Sequence, residues 1–260
     1  MRTAFITLSH EGAALIPRLK QELADIDGYV HESVTCAEGC KSFAHVTELT
    51  REIFPLYRAL IYAAPCGVVV RALNGCIASK LADPAVVVMD VGARWVVSLL
   101  SGHEGGANTL AVRLANIFDA EPVITTTTEA VKDLIVGIGC RRGVECDRIV
   151  DAVHESLRRV EMPEIRIRLL ASASVKQDEG GLLHAADELG IPIRFLSMEQ
   201  IRQCPYAITQ SEFVRKSIGV SAVAEPAALL AGRRTKLILP KTIYNSITVA
   251  IAQESFSSLA

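Results

Sequence analysis

The sequence predicts an α/β fold of two packed domains, residues 1–130 and 131–260, each built on a mostly parallel sheet. Three observations predict it. Short runs of β-branched and aliphatic residues alternate with stretches whose apolar residues recur at helical spacing, and the alternation is played through twice. Glycine turns follow several of the strand-like runs, as they do where a strand feeds a helix. No Gly/Ser tract or low-complexity segment separates the two series, so the halves are expected to pack closely.

The first series opens on a strand-like run over 3–8. The turn Ser9-His10-Glu11-Gly12 leads to a helix over 13–23 with Leu15, Leu19 and Leu23 on one stripe. Residues 28–46, rich in Cys, Gly and Ser, are expected to form a loop around one short strand. A helix over 47–56 and a buried strand over 59–64 follow. The turn Pro65-Cys66-Gly67 then opens a helix to about residue 79, with Arg71 early in it. Asp83-Pro84 marks a turn, and 85–89 and 95–99 flank Asp90-Val91-Gly92-Ala93-Arg94 as a hairpin. The second hairpin strand runs into Ser101-Gly102-His103-Glu104-Gly105-Gly106-Ala107-Asn108, and Leu110, Leu114, Ile117 and Phe118 mark the apolar face of the helix beyond. A short strand over 122–125 ends in Thr126-Thr127-Thr128. These threonines fit a polar lining or plain strand propensity followed by a helix cap.

The second series begins with Leu134-Ile135-Val136-Gly137-Ile138-Gly139, which leads to the turn Cys140-Arg141-Arg142-Gly143. The helix over 145–159 has Glu145 and Asp147 in its first turn and Arg158 and Arg159 in its last, matching the macrodipole. Next come a strand over 165–171, a polar end from Ser172 to Lys176, a helix over 180–189 and a strand over 193–195. Short helices over 198–203, 211–217 and 225–230 precede strands over 236–239 and 247–252. Those two strands are joined through Pro240-Lys241-Thr242-Ile243-Tyr244-Asn245.

Half of the 260 residues are apolar and 22% are charged, an ordinary globular balance. The net charge of −2 speaks against a general nucleic-acid or anionic-membrane binder, and no nucleic-acid or membrane partner is expected. The first residues form a strand-like run rather than a secretory leader, and the longest apolar stretch, 59–70, is interrupted by Pro65 and Gly67. A cytoplasmic protein is expected. Seven cysteines, an odd number, fit free thiols in a reducing compartment. Cys36 and Cys40, with His31 and His45 nearby, are too loosely spaced for a zinc site, and no second pair follows them.

The chemistry gathers at the glycine turns. Three glycines around His103 and Glu104, between a strand and a helix, offer backbone N–H groups for an anion and two groups able to move protons. His103 fits a general base with Glu104 beside it, or a hydrogen-bond donor to a bound carboxylate. Leu8-Ser9-His10-Glu11-Gly12 repeats the theme more weakly, and both turns are expected at the same end of a sheet. Gly137-Ile138-Gly139-Cys140-Arg141-Arg142-Gly143 lacks the third glycine of a dinucleotide fingerprint, which weakens a nucleotide-binding oxidoreductase. Paired arginines in a glycine turn suit carboxylates instead. With Arg71, Lys176 and Lys241 they make a set of cations fitted to a small polyanion. Arg71 also fits a structural ion pair or a snorkelling surface side chain. Cys140 reads as a packed thiol more readily than as a nucleophile, since no base is assigned to it.

Taken together, Leu100-Ser101-Gly102-His103 with Gly105-Gly106-Ala107-Asn108, then Pro122-Val123-Ile124-Thr125-Thr126, resemble the N-terminal part of the cobalt-precorrin-5A hydrolase family. The run 137–143 resembles the start of that family's C-terminal part. So do Leu170-Ala171-Ser172, Ala224-Glu225-Pro226-Ala227-Ala228-Leu229, and Leu239-Pro240-Lys241 with Thr248-Val249-Ala250. Two departures stand out. Thr128 runs almost directly into Leu134, where many members carry a middle segment, and Ser174 occupies a position often acidic in the family.

The resemblance implies an enzyme of anaerobic cobalamin biosynthesis. Water opens the ring A δ-lactone of cobalt-precorrin-5A, and the two-carbon unit from C20 leaves as acetaldehyde. It implies a substrate cleft between the domains and no cofactor of the protein's own, since cobalt arrives with the substrate. On this reading His103 is the base and Glu104 assists. The N–H groups of 105–108 hold the oxyanion, and Ser101, Gly102, Gly105, Gly106 and Asn108 line the site. Arg71, Gly139, Cys140, Arg141, Arg142 and Lys241 bind the substrate and its carboxylates. A transfer contact with cobalt-precorrin methyltransferases is implied, and a non-catalytic carrier of corrinoid intermediates is the alternative.

Overall fold

A computed structural model describes residues 2–35, 39–206 and 223–256. Cys36 and the helix expected over 211–217 lie outside the described residues. The chain divides into two units, Met1–Thr126 and Thr127–Ala260.

In the first unit the strands are β1 (Thr3–Thr7), β2 (Ile26–His31), β3 (Cys40–Phe43), β4 (Ala59–Ala63), β5 (Ala85–Met89), β6 (Trp95–Leu100) and β7 (Glu121–Val123). They lie in the order β3-β2-β1-β4-β5-β6-β7, and every neighbouring pair is parallel except β5 with β6. The helices are α1 (His10–Ala13), α2 (Ile16–Glu22), α3 (Val46–Ile53), α4 (Cys66–Ala72) and α5 (Ala107–Phe118). Both faces of the sheet are covered, which is why β1, β4 and β5 read as unbroken apolar runs. Alternate residues feed the two cores. Phe5, Ile61 and Val87 pack with Leu19 of α2 and with Leu110 and Leu114 of α5. Ile6, Leu60, Tyr62 and Val88 pack with Leu49 and Ile53 of α3 and Val69 of α4.

Four expectations for this unit are corrected. The helix read over 13–23 is two helices, because Pro17 lacks an amide hydrogen and is accommodated only in the first turn of α2. The stretch 28–46, read as a loop around one short strand, holds the end of β2 and all of β3. β3 is an edge strand with one buried residue, Phe43, too short for an apolar signature. The helix read to residue 79 stops at Ala72, so Arg71 sits in its last turn rather than early in it. The two similar turns do not share an end of the sheet. The Asp90 hairpin reverses the chain, so β6 runs against β5, pairing Leu100 with Val86 and Val96 with Met89. Ser101 therefore leaves the sheet at the edge where β4 and β5 begin, opposite the edge where Ser9 follows β1.

The second unit opens with α6 (Thr127–Ala130) and β8 (Leu134–Cys140), followed by α7 (Cys146–Arg159), β9 (Ile167–Ala173), α8 (Gly180–Leu189), β10 (Ile193–Leu196) and α9 (Met198–Arg202). The helix Ala224–Leu230 (α10) and the strands β11 (Thr235–Tyr244) and β12 (Ile247–Glu254) close the described chain. The sheet order is β10-β9-β8-β12-β11, parallel through β8 and antiparallel beyond it. α7 and α8 cover one face through Ile149, Val153, Leu182 and Ala185. α10, with its small residues Ala224, Ala227 and Ala228 fully buried, lies on β8 and β12.

Gly137 and Gly139 lie inside β8, on the strand-like run that leads to the Cys140–Gly143 turn. A Cβ on Gly137 would fall 1.9 Å from the Ala224 carbonyl oxygen, so that glycine lets helix and strand touch. The connection read over 240–245 is mostly strand, since β11 continues to Tyr244. Pro240 is tolerated there because β11 is an edge strand with a register shift between Leu239 and Thr242.

Candidate functional site

The Ser101–Gly106 loop joins β6 to α5, and glycine is required at three of its positions. Gly106, before α5, has φ +83°. A Cβ on Gly102 would lie 2.7 Å from Thr126 Cγ2, and one on Gly105 would lie 2.5 Å from Ser101 Cβ. Beneath the loop runs a buried polar chain. Ser98 Oγ donates to Asn108 Oδ1 at 2.7 Å, and Asn108 Nδ2 donates to Thr126 Oγ1 at 2.9 Å. Asn108 thus ties β6, α5 and the segment after β7 together. The expected oxyanion donors are largely engaged. The N–H groups of Gly105 and Ala107 donate to the Ser101 carbonyl (3.1 and 3.2 Å), and that of Asn108 donates to the Gly102 carbonyl (2.9 Å). Among the described residues, the Gly106 N–H has no carbonyl partner.

Ser101 is the anomaly of the loop. It is 7% exposed, has φ +55°, and its Oγ is the one buried side-chain polar atom without a hydrogen-bond partner among the described residues. Ser9, in the similar first turn, behaves ordinarily: its φ is −137° and its hydroxyl accepts from the Gly12 N–H. Left-handed backbone at a non-glycine residue costs about 1–3 kcal/mol. An unsatisfied buried hydroxyl costs about 1–3 kcal/mol more. The fold carries both at one residue.

His103 and Glu104 are exposed at the tip of the loop. Lys80 Nζ lies 2.9 Å from Glu104 Oε1, and this hydrogen bond, helped by the nearby His103, holds the Glu104 carboxyl below its ordinary range. Sequence reasoning missed Lys80, whose connection between α4 and β5 carries no motif. Arg71 is exposed and donates to the Gly67 carbonyl of its own helix at 2.8 Å.

In the second unit, Cys140 ends β8, and its thiol is pushed up by burial and by Glu179, against the opposing pull of Lys176. Glu179, 4% exposed, accepts from the Gly143 N–H at 2.7 Å and lies 3.3 Å from Lys176 Nζ. This carboxylate organises the turn after β8, and only the Gly180-Gly181 helix start beside it marked the place in the sequence. Arg142 pairs with Asp178 at 3.1 Å on the surface, and the Arg141 N–H donates to the Ser246 carbonyl. Lys241 lies within β11, where its N–H donates to Glu225 Oε1 at 2.8 Å. Gly139 packs against Thr248, whose hydroxyl donates to the Gly139 carbonyl at 3.0 Å. Among the described residues, no helix is long and apolar enough to cross a membrane.

Two family models match, cobalamin synthesis G N-terminal over residues 48–129 and cobalamin synthesis G C-terminus over residues 134–252. The chain is 26% identical over 272 residues to cobalt-precorrin-5A hydrolase of Salmonella typhimurium, covering 69% of this chain and 78% of that one. It is 24% identical over 306 residues to the enzyme of the same name from Priestia megaterium, covering 80% and 81%. Both alignments are longer than the 260-residue chain, so each relative has residues without a counterpart here. Among solved structures, CobE of the cobalamin biosynthetic pathway is 31% identical, with a TM-score of 0.44, over 47% of this chain and 90% of that one. The Ser101–Gly106 loop lies within the N-terminal match and the Cys140–Gly143 turn within the C-terminal match, and the chain belongs to the cobalamin synthesis G family.

Proposed function

We propose that this chain hydrolyses cobalt-precorrin-5A. Its relatives bear that name, and the family match extends over both units. Water adds to the lactone carbonyl on ring A and the ester C–O bond breaks, leaving a carboxylate on ring A and a hydroxyl on C20. The C–C bond joining C20 to the macrocycle then breaks as that hydroxyl becomes the aldehyde C=O, the macrocycle takes the electron pair and a proton, and acetaldehyde leaves. Cobalt enters with the substrate. The observation that carries the placement of the chemistry is Ser101, whose left-handed backbone and unpartnered buried hydroxyl adjoin Gly102, the residue before His103. Strain and unsatisfied polar atoms concentrate at sites where a ligand completes them.

His103, an imidazole open to solvent, takes the proton of the attacking water. Glu104, kept ionised by Lys80, is a poor proton donor; its part is to stabilise the imidazolium that forms. The Gly106 N–H and the Ser101 hydroxyl are the donors for the developing oxyanion, in place of the wider row of amides expected from sequence. Arg71, Arg141, Arg142 and Lys241 bind carboxylates of the substrate, and the product passes to a cobalt-precorrin methyltransferase.

Anaerobic acetaldehyde release by His103→Ala and Glu104→Gln tests the assignment. His103→Ala is expected to lose about 10²–10⁴-fold in turnover, the range of a general base. Glu104→Gln, which removes an exposed charge beside the imidazole, is expected to lose about tenfold. Release at the wild-type rate by both variants refutes the roles.

A further inference from the structure

The connection between α4 and β5 presents three side chains to solvent, one of which, Lys80, reaches the Ser101–Gly106 loop. Its backbone is wound around a buried carboxylate. Asp83, 7% exposed, accepts from the Ala78 N–H through both oxygens (3.1 Å each) and from the Ser79 N–H (3.1 Å). The Ser79 carbonyl accepts from the N–H groups of Ala82 (3.0 Å) and Asp83 (2.8 Å). With those polar groups turned inward, Ile77 and Leu81 point outward, 53% and 78% exposed, and Lys80 stands between them in sequence.

Two contacts set this connection against the catalytic loop. Lys80 reaches Glu104 at 2.9 Å, and the N–H nitrogen of Ala85, where the connection enters β5, lies 3.4 Å from where a Cβ on Gly105 would be. Single exposed apolar residues are common. A pair of them on a pinned turn, flanking a lysine already joined to the catalytic loop, is a surface of definite chemistry: apolar area for the face of a flat macrocycle, and a cation for a carboxylate on its rim.

We propose that Ile77, Lys80 and Leu81 form a substrate-recognition shelf, with Ile77 and Leu81 against one face of the tetrapyrrole and Lys80 exchanging Glu104 for a peripheral carboxylate. The shelf rests on the reading of cobalt-precorrin-5A as the ligand. Charge complementarity selects this occupant over an uncharged apolar one, because Lys80, 74% exposed, already holds a carboxylate oxygen at 2.9 Å.

The experiment is an anaerobic spectral titration of the full chain with cobalt-precorrin-5A, comparing wild type with the double variant I77S/L81S and with K80Q, while product mass is followed in parallel. The double variant is expected to bind about tenfold more weakly, and K80Q severalfold more weakly with a shallower salt dependence. Thermal midpoints should stay at the wild-type value, since all three side chains are exposed. Affinities within twofold of wild type for both variants overturn the shelf while leaving the hydrolase reading standing. Weakened binding with no product formed by wild type keeps the shelf and removes the hydrolase. No binding by wild type overturns both.

Discussion

Replacing Ser101 with glycine should make the protein more stable and a worse enzyme. Ser101→Gly removes the φ +55° penalty of a side-chain-bearing residue, about 1–3 kcal/mol. It also removes a buried hydroxyl that has no partner, worth about 1–3 kcal/mol. Against these stands the greater freedom of glycine in the unfolded chain, about 0.5–1 kcal/mol, and the loss of the small Cβ contact. The balance favours the variant by about 1–5 kcal/mol, which in a domain of this size raises Tm by roughly 3–15 °C. Trp95 in β6 is the only tryptophan of the chain, so its fluorescence follows the unfolding of this unit alone. Ser101→Ala, which keeps the backbone strain and loses only the hydroxyl, should gain less. Acetaldehyde release should fall about 10²–10³-fold in both variants, the effect of losing one oxyanion donor. A glycine variant less stable than wild type, or one of equal activity, refutes the view that this loop holds strain for a functional reason.

Three further outcomes follow from the second unit. Gly137→Ala forces a methyl toward the Ala224 carbonyl oxygen, 1.9 Å away, and should destabilise the unit by about 1–3 kcal/mol or more, read by denaturant unfolding followed by circular dichroism. Asp133 at the start of β8 is buried, which by itself raises its carboxyl. Arg166, with Nε at 2.9 Å, and Gln253, at 2.8 Å, outweigh that and hold it below its ordinary value. A depressed carboxyl stabilises the fold at neutral pH and loses that contribution as pH falls through its folded-state value. Asp133→Asn should therefore be less stable than wild type at pH 7 and show a flatter acid limb; parallel pH–stability curves would contradict this. Arg141→Ala should raise the Kd for cobalt-precorrin-5A more than it lowers turnover, and an unchanged affinity in the titration would take Arg141 out of the site.

Much of the fold could be read from the sequence because burial on both sheet faces leaves long apolar runs. β1, β4, β5 and β8 have unbroken signatures of this kind, and α5 and α7 have clear helical stripes. Signals failed where an element buries little. β3 contributes only Phe43, and β11, a sheet edge, admits Pro240. The position of the His103 loop was legible, but its edge of the sheet was not, although the reversing hairpin itself could be read: the consequence depends on which strand β5 joins. The internal use of the loop amides was also hidden, since a glycine-rich spacing does not say which carbonyl each N–H meets. Lys80 and Glu179 escaped notice because both act through tertiary pairing, one across to Glu104 and the other onto the Gly143 N–H. The glycines of 137–143 looked like a ligand cradle, and for Gly137 the physical reason proved to be helix contact, a distinction that only packing can make.

Mass analysis of cobalt-precorrin-5A incubated with this chain without oxygen separates lactone opening with release of a two-carbon aldehyde from simple binding. A product lighter by the difference between acetaldehyde and water is expected, with acetaldehyde trapped in equal amount and both formed at least about 10²-fold more slowly by His103→Ala. Substrate recovered bound to the protein at unchanged mass would contradict lactone opening and identify a carrier instead.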